Sequence, residues 1–432
     1  MNSTGGRRND YRPKSRRRRE FLKLAGTLGA AGVGLIGTSS EASGKDTAIE
    51  QNASALATQQ EHPTLTLFLC GDVMTGRGID RILPCPGDPR LYEPYMTSAE
   101  GYLRLAEKAG GPIPKPADFA YPWGDALSEL ELAAPDVRII NLETAVTTSS
   151  DPWPGKGIHY RMHPKNLPCL TAAKIDCAVL ANNHVLDWGY AGLQETLATL
   201  AGANIKTTGA GKNRRFAEVP AVIEAAGKGR VLVFGLGDES SGIPWLWDAL
   251  GDRPGVNLLP DLSDGSVRAL AEQIATLKQQ GDCAVASIHW GSNWGYGIPD
   301  SHREFAHRLI DEAQVDVVHG HSSHHPLGIE LYKGKPIFYG CGDFLNDYEG
   351  IPGHAEFRSD LSVMYFLTLD LATGKLVRLI MTPMQIKRFR LNDPLPEDIR
   401  WLQQVLNRES RLLGTGIELA DQGRRLVLSA AT

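Results

Sequence analysis

The chain has 432 residues, 42% of them hydrophobic and 22% charged, enough to bury a large core in one large domain or in two to three smaller ones. Setting aside residues 1–42, with nine basic and three acidic residues, leaves 36 basic and 47 acidic residues, a net charge of about −11. That balance argues against nonspecific nucleic-acid binding, which draws its affinity from cationic contacts to phosphate.

Residues 1–42 read as an export signal. Arg16 to Arg19, with Arg18 and Arg19 as a twin-arginine pair, precede a glycine-rich, mildly apolar stretch from Leu24 to Gly37 and the small-x-small site Ser40-Glu41-Ala42. The stretch is too short for a stable spanning helix, which needs about 20 apolar residues. Cleavage would release a periplasmic or cell-surface protein, and retention would leave an N-terminal anchor. Residues 43–63, polar and rich in Gln and Ala, read as a linker.

The body follows, expected over residues 64–390. Thr64 to Cys70 is a strand by its β-branched and aromatic content, ended by the turn signal Gly71-Asp72. A Pro- and Gly-rich insertion, Leu83 to Tyr121, holds a helical stretch from Ala99 to Ala109. A loop of that length is usually a functional lid or disordered. Helical and strand signals then alternate: helices at Ala126 to Ala133, Leu167 to Ala173 and Ala191 to Ala201, strands at Val137 to Leu142, Cys177 to Ala181 and Ile205 to Thr208. Further strands are expected at Val219 to Ala225, Arg230 to Leu236, Cys283 to His289, Val315 to His319, Ile329 to Tyr332, Pro336 to Cys341, Leu361 to Leu369 and Lys375 to Pro383. Helices Val267 to Gln279 and Ser301 to Ala313 fill two of the gaps. An alternating first half and a hairpin-rich end predict an α/β fold of two sheets with helices on both outer sides. Residues 391–432 are expected to form a helical extension, with an amphipathic helix from Glu397 to Leu413 on the outside.

Polar clusters close several of these apolar runs: Gly71-Asp72-Val73-Met74, Asn141-Leu142-Glu143, Asn182-Asn183-His184, Ser287 to Gly291, and Gly320 to His324. Carboxylate, amide and imidazole groups delivered singly from successive strand ends suit a two-cation site, whose hard-oxygen and nitrogen ligands must converge from several directions. Each cluster alone reads equally as a helix cap, a turn or a strand-end ion pair. Gly209 to Lys212 looks like a phosphate loop, but Asn213 stands where Ser or Thr is required, so it reads as a structural turn. No Cys-x-x-Cys spacing occurs; Cys70, Cys283 and Cys341 read as buried thiols, and Cys169 and Cys177 could pair only if geometry allows.

The order of the clusters is that of the calcineurin-like metallophosphoesterases. Leu67 to Gly78 (LFLCGDVMTGRG), Leu180 to Leu193 (LANNHVLDWGYAGL) and Gly320 to Phe344 (GHSSHHPLGIELYKGKPIFYGCGDF) resemble the CapA family of capsule (poly-γ-glutamate) synthesis proteins, over roughly Thr64 to Pro383. The resemblance implies a four-layer α/β/β/α sandwich of the metallo-dependent phosphatase type and a site for two divalent ions such as Mn, Zn or Fe. It implies Asp72 on one ion, Glu143 as the bridge, Asn183, His289 and His321 on the second ion and His324 on the first. His184 would be the general acid or oxyanion clamp, oriented by Asp187, and His319 and His325 would stand behind the ligands. Met74 departs from the Asp-x-His spelling of many relatives, and a thioether is a poor ligand for hard cations. Trp290, Trp294, Tyr296, Tyr348 and Trp188 could wall a cleft.

Three functions follow from this reading. The first is an exported CapA-like protein that acts on an anionic γ-linked glutamate polymer, alongside membrane-bound synthesis machinery, by assisting export or by metal-dependent hydrolysis. The second is a non-catalytic, polymer-binding assembly component, which the loss at Met74 favours. The third is a periplasmic metal-dependent phosphoesterase.

Overall fold

The computed structural model describes residues 63–430, so the expected export signal and all but the last residue of the linker lie outside the described residues. The first half runs β1 (Thr64–Val73), α1 (Arg77–Ile82), α2 (Glu100–Gly110), α3 (Ala126–Ala133), β2 (Val137–Leu142), β3 (Cys177–Val179), α4 (Gly189–Gly202) and β4 (Lys206–Thr208). The middle adds β5 (Ala221–Glu224), β6 (Arg230–Gly237), α5 (Asp264–Leu277), β7 (Cys283–His289), α6 (Asp300–Asp311) and β8 (Val317–His321). The remainder is β9 (Ile329–Tyr332), β10 (Lys335–Phe338), β11 (Asp343–Leu345), β12 (Leu361–Asp370), β13 (Leu376–Ile386), α7 (Pro396–Arg411), β14 (Thr415–Ala420) and β15 (Arg425–Ala430).

Two large sheets result. A ten-stranded sheet has the order β14-β15-β13-β12-β1-β2-β3-β4, with β11 beside β1 and the short strand Leu391–Asn392 beside β13. A six-stranded sheet has the order β9-β10-β8-β7-β6-β5. Pairing is parallel through β1-β2-β3-β4 and through β10-β8-β7-β6, and antiparallel towards the outer strands. The parallel strands of the smaller sheet are buried on both faces, which is why β7 reads as an unbroken run, Cys283 to His289, instead of an alternation.

The layers follow from the two-residue period of the strands. In β1, Leu65, Leu67 and Leu69 join Val231, Val233, Val285 and Val317 of the other sheet in one shared core. Phe68 turns to the outer face, where its ring meets Phe344 and Phe366 at 5.9 and 5.5 Å, and Trp123 closes on Phe344 at 5.8 Å. The outer face of the smaller sheet, including Phe234, Ala286 and Ile288, packs against Val267, Leu270 and Ile274 of α5 and Phe305 and Leu309 of α6. This is the expected four-layer sandwich.

One segment differs from expectation. Beyond α7, residues 415–430 form a hairpin that pairs with β13 and lengthens the larger sheet, where a helical extension was expected. Ile399, Leu402 and Leu406 of α7, with Ile417 and Leu426 of the hairpin, belong to the core between the sheets, and α7 touches both β14 and β9, an edge strand from each sheet. The insertion at residues 83–121 is folded and carries the expected helical stretch as α2. Arg77 binds Asp347 through Nε at 2.9 Å and Glu93 through Nη1 at 3.1 Å, and Tyr102 of α2 donates its hydroxyl to Glu93. All six cysteines are free. Gly209 has a φ of +84°, and a Cβ there would lie 2.7 Å from that of Ala181, so Gly209 serves packing, as the structural-turn reading of that motif expects. Among the described residues no helix is long and apolar enough to cross a membrane.

The tightest approach in the fold brings β1 against the turn into β11. A Cβ on Gly71 would sit 1.5 Å from the carbonyl oxygen of Gly342. Gly71→Ala is therefore expected to cost more than about 4 kcal/mol, a value outside the usual range for one substitution. Thermal unfolding measures it, and an unchanged midpoint would contradict the approach.

Candidate metal centre

Parallel strands present their carboxyl ends on one side of a sheet, and here both sheets do so towards the same place. β1 ends with Asp72, β2 runs into Glu143, the turn after β3 carries Asn182, Asn183 and His184, and β7 and β8 end on His289 and His321. Asp72 lies opposite Asn141 on one side and Asp343 on the other, and His289 lies opposite His321.

Two overlapping groups of ligand atoms emerge, Asp72 with His289 and His321, and Asp72 with His324 and Asp343. In each, the atoms lie within 4.8 Å of one another, and every residue is buried. Asp72 belongs to both groups. Glu143 stands beside it and faces His184 Nε2 at 3.7 Å. Asp343 was not singled out from the sequence. Its signal was a Gly-Asp pair after an apolar run, the same device as Gly71-Asp72, but the run before it is broken by the turn at Gly342.

The surrounding amides set these groups in place. Asn141 Nδ2 donates to Asp72 Oδ1 at 2.7 Å and lies 3.2 Å from Glu143 Oε2. Asn182 Nδ2 donates to Asn141 Oδ1 at 3.0 Å and to the Leu142 carbonyl at 2.9 Å, while its own Oδ1 accepts from the backbone N–H groups of His184 and Val185. Asn182 is thus a bracket for the turn. Its neighbour Asn183 has a buried Oδ1 without a hydrogen-bond partner, and the same holds for His289 Nε2. Behind the ligands, Ser287 Oγ lies 3.0 Å from both His321 Nε2 and His319 Nδ1, and His319 Nε2 is 2.8 Å from the Cys70 carbonyl. His325 Nε2 accepts from the Gly295 N–H at 3.1 Å.

Met74 is buried with its sulfur 3.7 Å from the Tyr348 hydroxyl. The Asp72, His324 and Asp343 group offers two carboxylates and an imidazole without it. Of the expected aromatic wall, Trp290 is core: it stacks between His302 and Tyr339, at 4.6 and 6.2 Å. Trp188 is core as well, its Nε1 donating to the Tyr160 carbonyl at 3.1 Å. Tyr296 packs on His325 at 4.6 Å. Trp294 and Tyr348 do flank the centre, 5.2 and 5.3 Å from the His324 ring.

The electrostatics fit a bound cation. Burial, then the Asp343 charge, raises the Asp72 carboxyl from its ordinary 3.8 to about 7. Burial, then Asp72, pushes Glu143 well above its usual range. Burial holds His289 and His321 well below 6.5, leaving both as neutral imidazoles with lone pairs to donate. Burial works against a charge on His324 too, but Asp343, 2.8 Å from its Nδ1, outweighs this and raises its pKa. Three buried acids, neutral imidazoles and an unpaired amide oxygen are a donor set for a divalent ion.

To one side, His184 Nδ1 lies 2.7 Å from Asp187 Oδ2, and Lys156 Nζ lies 3.0 Å from Asp187 Oδ1. Burial lowers His184 to about 4, so its ring is neutral at pH 7. Asp187 resists burial because His184 and Lys156 hold its pKa below the ordinary value.

Comparison with known proteins bears on this site. The profile of the family described as "Bacterial capsule synthesis protein PGA_cap" matches residues 66–348, which span every residue named above as a ligand. The chain is 50% identical over 351 residues, 81% of its length and 92% of the relative's, to a Mycobacterium tuberculosis protein described as a "Probable polyglutamine synthesis accessory protein". It is 24% identical over 322 residues, 74% of this chain and 72% of the relative, to the Bacillus subtilis "PGA biosynthesis protein CapA". A solved structure described as a novel phosphatase, from Mycoplasma pneumoniae, aligns with a TM-score of 0.41 at 12% identity, over 77% of this chain and 96% of that one.

Two outcomes are expected of metal-free protein. Because folded Asp72 holds its proton up to about pH 7 and the unfolded carboxyl releases it near 3.8, the native state binds the extra proton between these values. Stability is then greatest below the lower value and falls as pH rises through the upper, by at most about 4 kcal/mol. Denaturant titrations from pH 4 to 8 check the sign, and added divalent metal should remove the slope. Asp343→Asn should stabilise the metal-free protein above pH 6 while weakening metal binding at least tenfold, read by calorimetry; tighter binding would exclude Asp343 as a ligand.

Proposed function

The chain belongs to the PGA_cap family of bacterial capsule synthesis proteins, and from that premise we propose that it is an exported accessory protein of poly-γ-glutamate synthesis that cleaves amide bonds of the polymer at a two-ion metal centre. The observation that carries this reading is the pair of ligand groups sharing Asp72, with the His184–Asp187 pair beside them. The expected twin-arginine signal supports export, and the relatives' descriptions as synthesis accessory and biosynthesis proteins support work beside the synthesis machinery.

Asp72, His289 and His321, with the free oxygen of Asn183, would hold one ion, and Asp72, His324 and Asp343 the other. Such ions, Mn, Zn or Fe, supply Lewis acidity to a scissile carbonyl and to water. His184 acts on the proton. Its Nδ1 proton is committed to Asp187, so the Nε2 lone pair faces the centre, accepts a proton as water attacks and returns it to the leaving amine nitrogen. Asp187 orients the ring and stabilises the imidazolium that forms, as a carboxylate does in other histidine relays. The Asp72, His324 and Asp343 group supports the catalytic reading without a ligand at Met74.

Metal content by plasma mass spectrometry, read together with polymer length after incubation with poly-γ-glutamate, tests the proposal. Bound divalent metal that is lost in Asp72→Ala and His321→Ala, with shortened polymer only in the wild type, is the expected result. A folded wild type that takes up neither Mn²⁺ nor Zn²⁺ would overturn it, and cleavage of a chromogenic phosphate ester without cleavage of polymer would point to the phosphoesterase. His184→Ala should keep its metal and lose about 100-fold in kcat; lost metal would move His184 among the ligands.

A further inference from the structure

The segment Asp151 to Tyr160 crosses over the His184–Asp187 pair and is tied to it at three points. The Trp153 N–H donates to the Asp187 carbonyl at 2.8 Å, the Tyr160 N–H to Asp187 Oδ2 at 2.6 Å, and Lys156 Nζ is ion-paired with Asp187 Oδ1 at 3.0 Å. The Trp153 ring meets Tyr190 and Trp247, each at 5.4 Å, which fixes the segment laterally. Lys156 Nζ also donates to the Ile158 carbonyl at 3.2 Å and lies 3.3 Å from His184 Nδ1. That nitrogen gives its proton to Asp187 and has no lone pair for Lys156. An ammonium carries three N–H groups; here one donates to the Ile158 carbonyl, Asp187 Oδ1 is an ion-pair partner, and the Trp247 ring centroid lies 5.7 Å away. These contacts leave N–H capacity on the ammonium, and the side chain keeps 14% of its surface open.

Arg77, also near the centre, is engaged by carboxylates. It has 2% of its side chain exposed and is held by Asp347 and Glu93, so burial keeps it from a ligand. Lys156 is therefore the cation on the His184 side of the site with capacity to spare.

Accepting the reading of this site as an amide hydrolase for the γ-linked polymer, we infer that Lys156 binds the free carboxylate of the glutamate unit on the leaving side of the scissile bond. In a γ-linked chain that carboxylate sits on the carbon bonded to the amide nitrogen. His184 returns a proton to that nitrogen, and Lys156 adjoins His184, so the amine and its carboxylate would meet adjacent side chains. Lys156 then sets the preference for a polyanion over a neutral amide chain.

The test compares full-length wild type, Lys156→Gln and Lys156→Arg for equilibrium binding and cleavage of poly-γ-glutamate and of the same polymer with its α-carboxyls methyl-esterified. A charged hydrogen bond of this kind predicts binding of the acid polymer weakened about tenfold or more in Lys156→Gln, seen in KM more than in kcat. Binding of the esterified polymer should be unchanged, and Lys156→Arg should retain most of the affinity. Equal losses on both polymers, or acid-polymer binding equal to wild type, would overturn the inference. Should Lys156→Gln not fold, the wild type alone decides: equal affinity for acid and ester polymers also overturns it. A wild type that neither binds nor cleaves either polymer refutes the function itself.

Discussion

Asp72 and Asp343 are register partners on neighbouring parallel strands, and Glu143 shares with Asp72 the amide of Asn141. Like charges this close, cut off from water, cannot all ionise without positive charge among them. That conflict organises the centre. It raises the Asp72 carboxyl to about 7, draws a proton onto His324, and makes a divalent cation the partner that would satisfy all three acids together.

The sandwich tolerates the conflict because the acids sit where the backbone is most firmly held. β1 and β7 are central strands of their sheets, buried along nearly their whole length. Gly71 and Gly342 let two chain segments approach closer than any side chain would permit, which brings Asp343 beside Asp72. Hydrogen bonds from Asn182 fix Asn141 and the turn that carries His184. The His184–Asp187–Lys156 row then adds an imidazole that is neutral at pH 7 at one side, with a cation available to an anionic ligand.

Much of this was legible in the residues, for definite reasons. Strand ends announced themselves because an apolar run stops at a polar cluster, as at Asp72, Asn182 to His184 and His289. The spellings around them pointed to the family, and Asp187 was found as the partner of His184 because the two lie on one turn. Asp343 escaped because its partner in space, Asp72, is far away in the sequence, and no local pattern records a parallel register. Glu143 was assigned the bridge by analogy of order, and it stands beside Asp72 on the same Asn141 amide. Trp290 was placed on a cleft wall because glycines follow it, whereas its ring is held in the core by stacking on His302 and Tyr339. The hairpin at residues 415–430 was hidden because two six-residue strands carry little periodic signal beside the long amphipathic helix that precedes them.

The sequence by itself determined the family, the α/β class, the order of the elements and the types of side chain delivered to the strand ends, because these rest on local patterning and on residue chemistry. Only the tertiary structure decided which oxygens and nitrogens converge, that Asp72 is common to both ligand groups, that Asp343 joins them and that Lys156 lies against His184. Those are distances between segments remote in the chain, set by strand register, by the stacking of two sheets and by the close approach at Gly71, and none of these is written in any one stretch of residues.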